Sequence, residues 1–375
     1  MKWPFGVFCL FLAASAVAQV PVLRKTESDA MPANTIGVYA WGSDGRGYLK
    51  LEWQKHAGVV VTGDVAASRG EAWIASELST STTGTVLTAL DLNGEVLRKV
   101  VLPDEIKDFR VLETGGKEPL FVTWGDLWGQ DLRAFDVSGS EKWSFSIPGF
   151  MPGSVDVVPA SAGGPLIVLG YYYGPVALRA LDPQGRVVWE SKEVDSANTV
   201  RVGRMDGRSV ITANNGVGRI SLFDLKGHVV DRIDAQNNMD RVLFDERKGA
   251  GALMYGLSSG SGTGHERFGL YQKNGDGGPW EQLASEDLGR ITITAYALAD
   301  LDGDGTLKEV VGTDNGWVLV LDRAGKVLSE ARFPGSIRFL GVMKARKSSK
   351  DTLILCASGP NGAAYAFTRP EASRP

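Results

Sequence analysis

The feature that most constrains this chain is a short phrase repeated along it: an apolar strand, a tight turn built on Asp-x-x-Gly, and a second strand. The clearest copies are LRAFDVSGSEKW (Leu132–Trp143) and LRALDPQGRVVW (Leu178–Trp189). LTALDLNGEVL (Leu87–Leu97), ISLFDLKGHVV (Ile220–Val230) and LVLDRAGKVL (Leu319–Leu328) are weaker ones. The turn aspartates are Asp91, Asp136, Asp182, Asp224 and Asp322, and Gln272 stands in that place in LYQKNG. Successive spacings are 45, 46, 42, 48 and 50 residues. Asp can bond its own backbone in a tight reversal and Gly accepts positive φ, so each phrase reads as an antiparallel hairpin. Repeats of that length, made only of short strands, predict an all-β fold of radially stacked blades, a β-propeller.

Each unit divides into four strands, A to D from the hub outward. In the third unit these are Ser154–Val158, Leu166–Tyr173, Ala177–Asp182 and Arg186–Lys192. Triplets of strands A to C recur at 59–91, 106–136, 154–182, 199–224, 240–272, 291–322 and 337–367, which predicts seven blades. The seventh unit ends without a strand D, while YLKLEWQ (Tyr48–Gln54) is a strand without a blade. Pairing the two would close the ring and leave no free sheet edge. An eighth blade would need Ile36–Trp41 as a further strand. Trp143 and Trp189, seven residues after their turn aspartates, fall on strand D and are expected to pack between blades.

Residues 1–18 read as a signal peptide: Lys2, the apolar run Phe5–Ala14, and the small-x-small site Ala16-Val17-Ala18. Cleavage before Gln19 would leave a linker at 19–35, a single propeller domain at 36–368 and a tail at 369–375. Cys9 follows Gly6-Val7-Phe8, which is no lipid-attachment box, and no later apolar run is long enough for a membrane helix. The expectation is an exported protein, periplasmic or extracellular, without lipid anchor or membrane insertion. The mature chain keeps one cysteine, Cys356 in the strand LILCA, which reads as a small core residue. It carries 39 basic against 44 acidic residues with no basic block, which argues against nucleic acid as a partner.

One loop carries metal chemistry. In ALADLDGDGTLKEVV, Asp300, Asp302 and Asp304 alternate with Gly303 and Gly305. Alternate carboxylates in a tight turn can aim hard oxygen ligands at one Ca²⁺, with a backbone carbonyl near Thr306. The segment resembles the FG-GAP/VCBS-type repeat of secreted propellers, and that resemblance implies a calcium loop between strands A and B. The family's acidic residue nine positions into the loop is replaced here by Lys308, with Glu309 one step later. The expected ligand set is therefore Asp300, Asp302, Asp304, Thr306 and Glu309.

The D-x-x-G-x-x-x-W turns also resemble the blades of pyrroloquinoline-quinone-like propellers. Quinoprotein dehydrogenases carry a vicinal cysteine pair that one mature cysteine cannot supply, so no pyrroloquinoline quinone is expected. NGDGGPW (Asn274–Trp280) is similar to the Asp-box of sialidase-type propellers, which is a structural turn.

No metalloprotease HExxH and no His/Cys cluster occurs, no convincing Ser/His/Asp set is readable, and only His56, His228 and His265 are present. What remains is surface. The B–C loops emerge on one face and hold Trp124, Asp126, Trp128, Tyr171, Tyr172, Tyr173, Asn214, Asn215, Asp314, Asn315 and Trp317. Facing outward, these would form a rim of aromatics beside amides and acids, suited to a carbohydrate or protein ligand. The sequence thus reads as an exported, non-catalytic binding or scaffold propeller with one structural Ca²⁺. The alternative is a secreted carbohydrate-active enzyme with its site in the central funnel.

Overall fold

The structure is a computed structural model that describes residues 50–368, except for 58, 79–83, 117, 126–130, 148–150, 206, 216–217, 236–238, 246–252, 259–264, 276–277, 334, 345–350 and 359–361. The signal peptide, the linker, Ile36–Trp41 and the 369–375 tail lie outside the described residues, as do Asp126 and Trp128. No helix among the described residues is long and apolar enough to cross a membrane.

The described strands form seven four-stranded antiparallel sheets, each one blade. Blades 1 to 6 are continuous in sequence, at 60–102, 108–145, 151–191, 199–234, 239–289 and 293–332. Blade 7 takes strands A to C from Ser336–Lys344, Asp351–Ser358 and Ala363–Thr368, and its strand D from Lys50–His56. The register runs from Lys50 opposite Thr368 to His56 opposite Ala363. The orphan strand therefore closes the ring at seven blades, and the outer edge of blade 7 is paired by the N-terminal strand.

Among the described residues, seven apolar clusters, one at each blade interface, form the core. Trp73, Phe109 and Phe121 join blades 1 and 2, while Ile167 and Tyr171 meet Leu112 and Val122 between blades 2 and 3. The cluster between blades 7 and 1 contains Val60, Ile74, Phe339 and Ile354, together with Cys356. That thiol is wholly buried and burial pushes its pKa up, so it packs as a small apolar group.

The Asp-x-x-Gly turns form as expected and explain why the repeat is written this way. In each, one carboxylate oxygen accepts the backbone N–H two and four residues on: Asp182 takes Gln184 and Arg186, and Asp224 takes Lys226 and His228. Asp91, Asp136 and Asp322 repeat the pattern. At Asp136 the Ser138 hydroxyl is the leading reason the carboxyl stays well below its usual range. Blade 5 differs. Gln272 lies within strand C, opposite Glu281, and the reversal falls two residues later, where the Asn274 N–H donates to Pro279 O. The Asp-box-like segment is this C–D turn.

Successive blades are joined at these turns. Trp143 of blade 2 donates its indole N–H to Pro183 O in the blade 3 turn, at 2.8 Å. Trp189 of blade 3 does the same to Leu225 O of blade 4, at 2.9 Å. The glycine of each receiving turn sits under the indole: a Cβ on Gly185 would come within 2.7 Å of Trp143, and one on Gly227 within 2.6 Å of Trp189. Both have positive φ, +77° and +86°, so glycine is required twice over.

Candidate functional site

Two regions of the ring can meet a ligand: the rim of B–C loops and the central channel. On the rim, strand pleat decides which side chains face out. Strand B of blade 3 (Leu166–Tyr173) alternates, so Tyr171 follows Ile167 and Leu169 into the interface with blade 2. Tyr171 is fully buried, with Arg179 donating to its hydroxyl at 3.3 Å, so its ring does not face outward on the rim. Asn214 is buried too, and its backbone carbonyl accepts the Asn198 N–H.

The rest of the described rim stays accessible to differing degrees. Tyr172 and Tyr173 are 37% and 63% exposed and pack edge to face, 4.3 Å between ring centroids. Trp124 is half-buried beneath the Arg110 guanidinium, 5.4 Å away, and lines a cavity of about 410 Å³ with Asp104, Glu105, Asp131 and Arg133. Asn215 lines a corresponding hollow in blade 4 with Glu193, Asp195 and Arg232. Asp314 and Asn315 are exposed, while Trp317 is half-buried under Arg332. The Asn315 side-chain oxygen accepts the Thr313 hydroxyl, which fixes that turn. Among its described residues the rim is thus a set of separate polar hollows plus one exposed tyrosine pair, not a continuous aromatic belt.

The Asp300–Glu309 loop lies at the A–B turn of blade 6, as the repeat requires, but its carboxylates are already engaged. Asp300 accepts the Gly303 N–H on one oxygen and the Gly305 N–H on the other, both at 2.9 Å. Asp304 accepts the Thr306 N–H. Lys308 turns its ammonium back into the loop, 3.1 Å from an Asp302 oxygen and 3.3 Å from Thr306 O. Two of the five expected donors therefore already hold a cation, supplied by the chain itself.

Glu309 cannot join them. In strand B of blade 6 (Lys308–Thr313), Val310 faces blade 7 and Val311 faces blade 5, so Lys308 and Glu309 point to opposite sides of the sheet. Glu309 is buried without a hydrogen-bond partner on Oε2, and burial raises its carboxyl to about 8. In this geometry the donor set does not fit a calcium ion. Among the described residues no group of three or more His, Cys, Asp or Glu side chains is placed to hold a metal.

The channel wall holds a polar network that the sequence reading passed over. Asp64, Asp108 and Asp156 stand on the innermost strands of blades 1, 2 and 3. Asp64 accepts the Val111 N–H of the next blade and Asp156 accepts the Val202 N–H, each at 2.7 Å, so these carboxylates fasten neighbouring hub strands together. Arg110 bridges Asp108 and Asp156 at 3.1 and 3.3 Å. Burial raises Asp64 to about 6, against the opposing pull of Arg110. Arg201 of blade 4 donates from Nε to the Tyr296 hydroxyl of blade 6 across the channel, at 3.0 Å. The available signal was an acid at matching places in otherwise apolar hub strands, as in Gly63-Asp64-Val65 and Val155-Asp156-Val157.

No protein-family model matches the chain, and no curated protein matches it in sequence. Its likeness is to solved structures. It superposes on BBS1N from the crystal structure of BBS1N in complex with ARL6DN, with a TM-score of 0.60 and 14% identity, over 88% of this chain and 99% of that one. It is similar also to the Dos1 propeller, with a TM-score of 0.56 and 12% identity over 86% and 95% of the two chains. At such low identity the likeness establishes a shared architecture: this chain is a seven-bladed β-propeller.

Proposed function

We propose that this chain is an exported, non-catalytic propeller that recognises a protein partner on its B–C loop face, with Tyr172 and Tyr173 at the centre of the contact. The observation that carries the reading is the exposed, edge-to-face tyrosine pair, because paired aromatics with few rotatable bonds are favoured anchors in interfaces. The propeller fold suits a binding or scaffold role. Among its structural neighbours, BBS1N was solved in complex with ARL6DN, which makes a protein partner the first ligand class to test. A carbohydrate is the other occupant that stacking aromatics would suit.

The enzyme reading would need two carboxylates free to exchange protons at the channel. Asp108 and Asp156 are instead held by Arg110 and by backbone amides, which favours binding over turnover.

A photo-crosslinking residue placed at position 173 should capture a partner in the exported fraction. The same residue at 226, on an exposed turn of the opposite face, should not. Equal capture at both positions, or survival of the complex in a Tyr172→Ala/Tyr173→Ala protein, would refute the assignment. Glycan-array binding or polysaccharide hydrolysis would move it to the alternatives. N-terminal sequencing of the exported chain should begin at Gln19.

A further inference from the structure

The central channel holds a cavity of about 550 Å³, a size suited to a small organic ligand. Its walls are of two kinds. Asp64, Arg201 and Tyr296 form a polar side, while Leu243, Leu298 and Val342 present half-buried apolar side chains on the other. Ala67 and Gly70 of the blade 1 A–B turn lie at its opening, with Lys344 of blade 7 beside them. The cavity therefore opens on the face opposite the tyrosine pair.

The charges in this cavity are unequally satisfied. Asp64 is committed to the Val65 and Val111 amides. Arg110, behind it, is paired with two aspartates. Arg201 is not: among the described residues its guanidinium makes no ion pair, and its side-chain hydrogen bond uses Nε alone. Arg201 lines the cavity, and among the described residues its terminal nitrogens make no hydrogen bond within the chain. A guanidinium so placed offers a two-pronged donor edge that matches a carboxylate.

We propose that the channel is a binding site for a small organic carboxylate, whose anionic head is held by Arg201 and whose apolar body lies against Leu243, Leu298 and Val342. The Tyr296 hydroxyl oxygen fixes the guanidinium by accepting the hydrogen bond from Nε–H, so that the terminal nitrogens keep one orientation. Lys344, 69% exposed at the opening, lies 3.7 Å from Asp351 of the same wall and offsets the charge of that acid. Asp108 and Asp156 also act on the charge of Arg201, but both are hydrogen-bonded to Arg110 and to backbone N–H groups, so neither occupies the terminal nitrogens of Arg201.

Calorimetry and thermal melting with hexanoate, benzoate and inorganic phosphate test this directly. Hexanoate and benzoate should bind saturably at one site per chain and raise the melting temperature, with phosphate clearly weaker. Arg201→Gln should weaken both carboxylates about tenfold or more, the loss of a charge-assisted pair. Leu243→Asn, which leaves the arginine in place, should weaken hexanoate while leaving phosphate unchanged, and it serves alone if the arginine variant does not fold. The proposal is overturned if neither carboxylate binds at one site, if Arg201→Gln or Leu243→Asn binds hexanoate as the parent does, or if phosphate binds as well as hexanoate. None of these outcomes depends on the rim assignment, because Tyr172→Ala/Tyr173→Ala should leave carboxylate binding intact.

Discussion

The C–D turn at Asp182 and the A–B loop at Asp300 are written in the same alphabet, aspartate followed by glycine, and they have been solved by different means. At Asp182 one carboxylate closes a four-residue reversal, and the glycine three residues on gives the neighbouring tryptophan a flat seat. At Asp300 three carboxylates crowd one loop, more negative charge than backbone N–H groups alone would balance, and Lys308 supplies the missing positive charge. Aspartate–glycine spacing thus reports a tight backbone path. Whether that path holds an ion depends on what the following strand sends back into it.

The largest effect that would break this comparison is at the seat. Gly185→Val combines a left-handed backbone position with a clash against Trp143 and should cost about 3 kcal/mol, read as a drop in melting temperature. Next is Lys308→Asp. It restores an acid where the calcium-loop repeats carry one, so the variant should be destabilised in chelator and recover about 2–3 kcal/mol in calcium at one hundred times its dissociation constant. The parent protein should melt at one temperature with or without calcium. A calcium shift in the parent would show that the ammonium is displaced by the metal.

Glu309→Gln sharpens the other half of the loop. The carboxyl has its ordinary value of 4.5 raised to about 8, so the folded chain keeps a proton that the unfolded chain releases above pH 4.5. Stability from this group is fully present below pH 4.5 and falls as pH rises toward 8. The variant should therefore be more stable than the parent at pH 8, by on the order of 1–4 kcal/mol, with the gain vanishing below pH 4.5. A constant difference across pH would refute it. The smallest effect is Asp182→Ala, which frees two backbone N–H groups at an exposed turn and should cost about 1 kcal/mol by chemical denaturation.

The fold was legible because local chemistry dictates it: an aspartate that can bond its own backbone and a glycine at positive φ leave little choice but a hairpin, repeated until the ring fills. Strand order, blade boundaries and closure by Lys50–His56 all follow from that. Gln272 misled because the longer blade 5 hairpin moves its turn to Asn274, out of phase with the repeat. Tyr171 was readable by counting alternate residues from Ile167, since a strand that continues past its nominal end keeps its pleat. Asn214 follows the same logic at the end of the blade 4 strand B (Arg208–Asn214). The engagement of Asp302 by Lys308 and the Arg201–Tyr296 bond were not readable. Arg201 and Tyr296 lie 95 positions apart and meet only because blades 4 and 6 face one another across the hub.

Closing the seventh blade with Lys50–His56 sets an order on biogenesis. Of the described strands, the first to be synthesised, Lys50–His56, must wait for the last, Ala363–Thr368, before it finds its hydrogen-bonding neighbour. During that interval the unpaired strand is adhesive, so a chain stalled before residue 363 should be a target for chaperones or for pairing with its own copies.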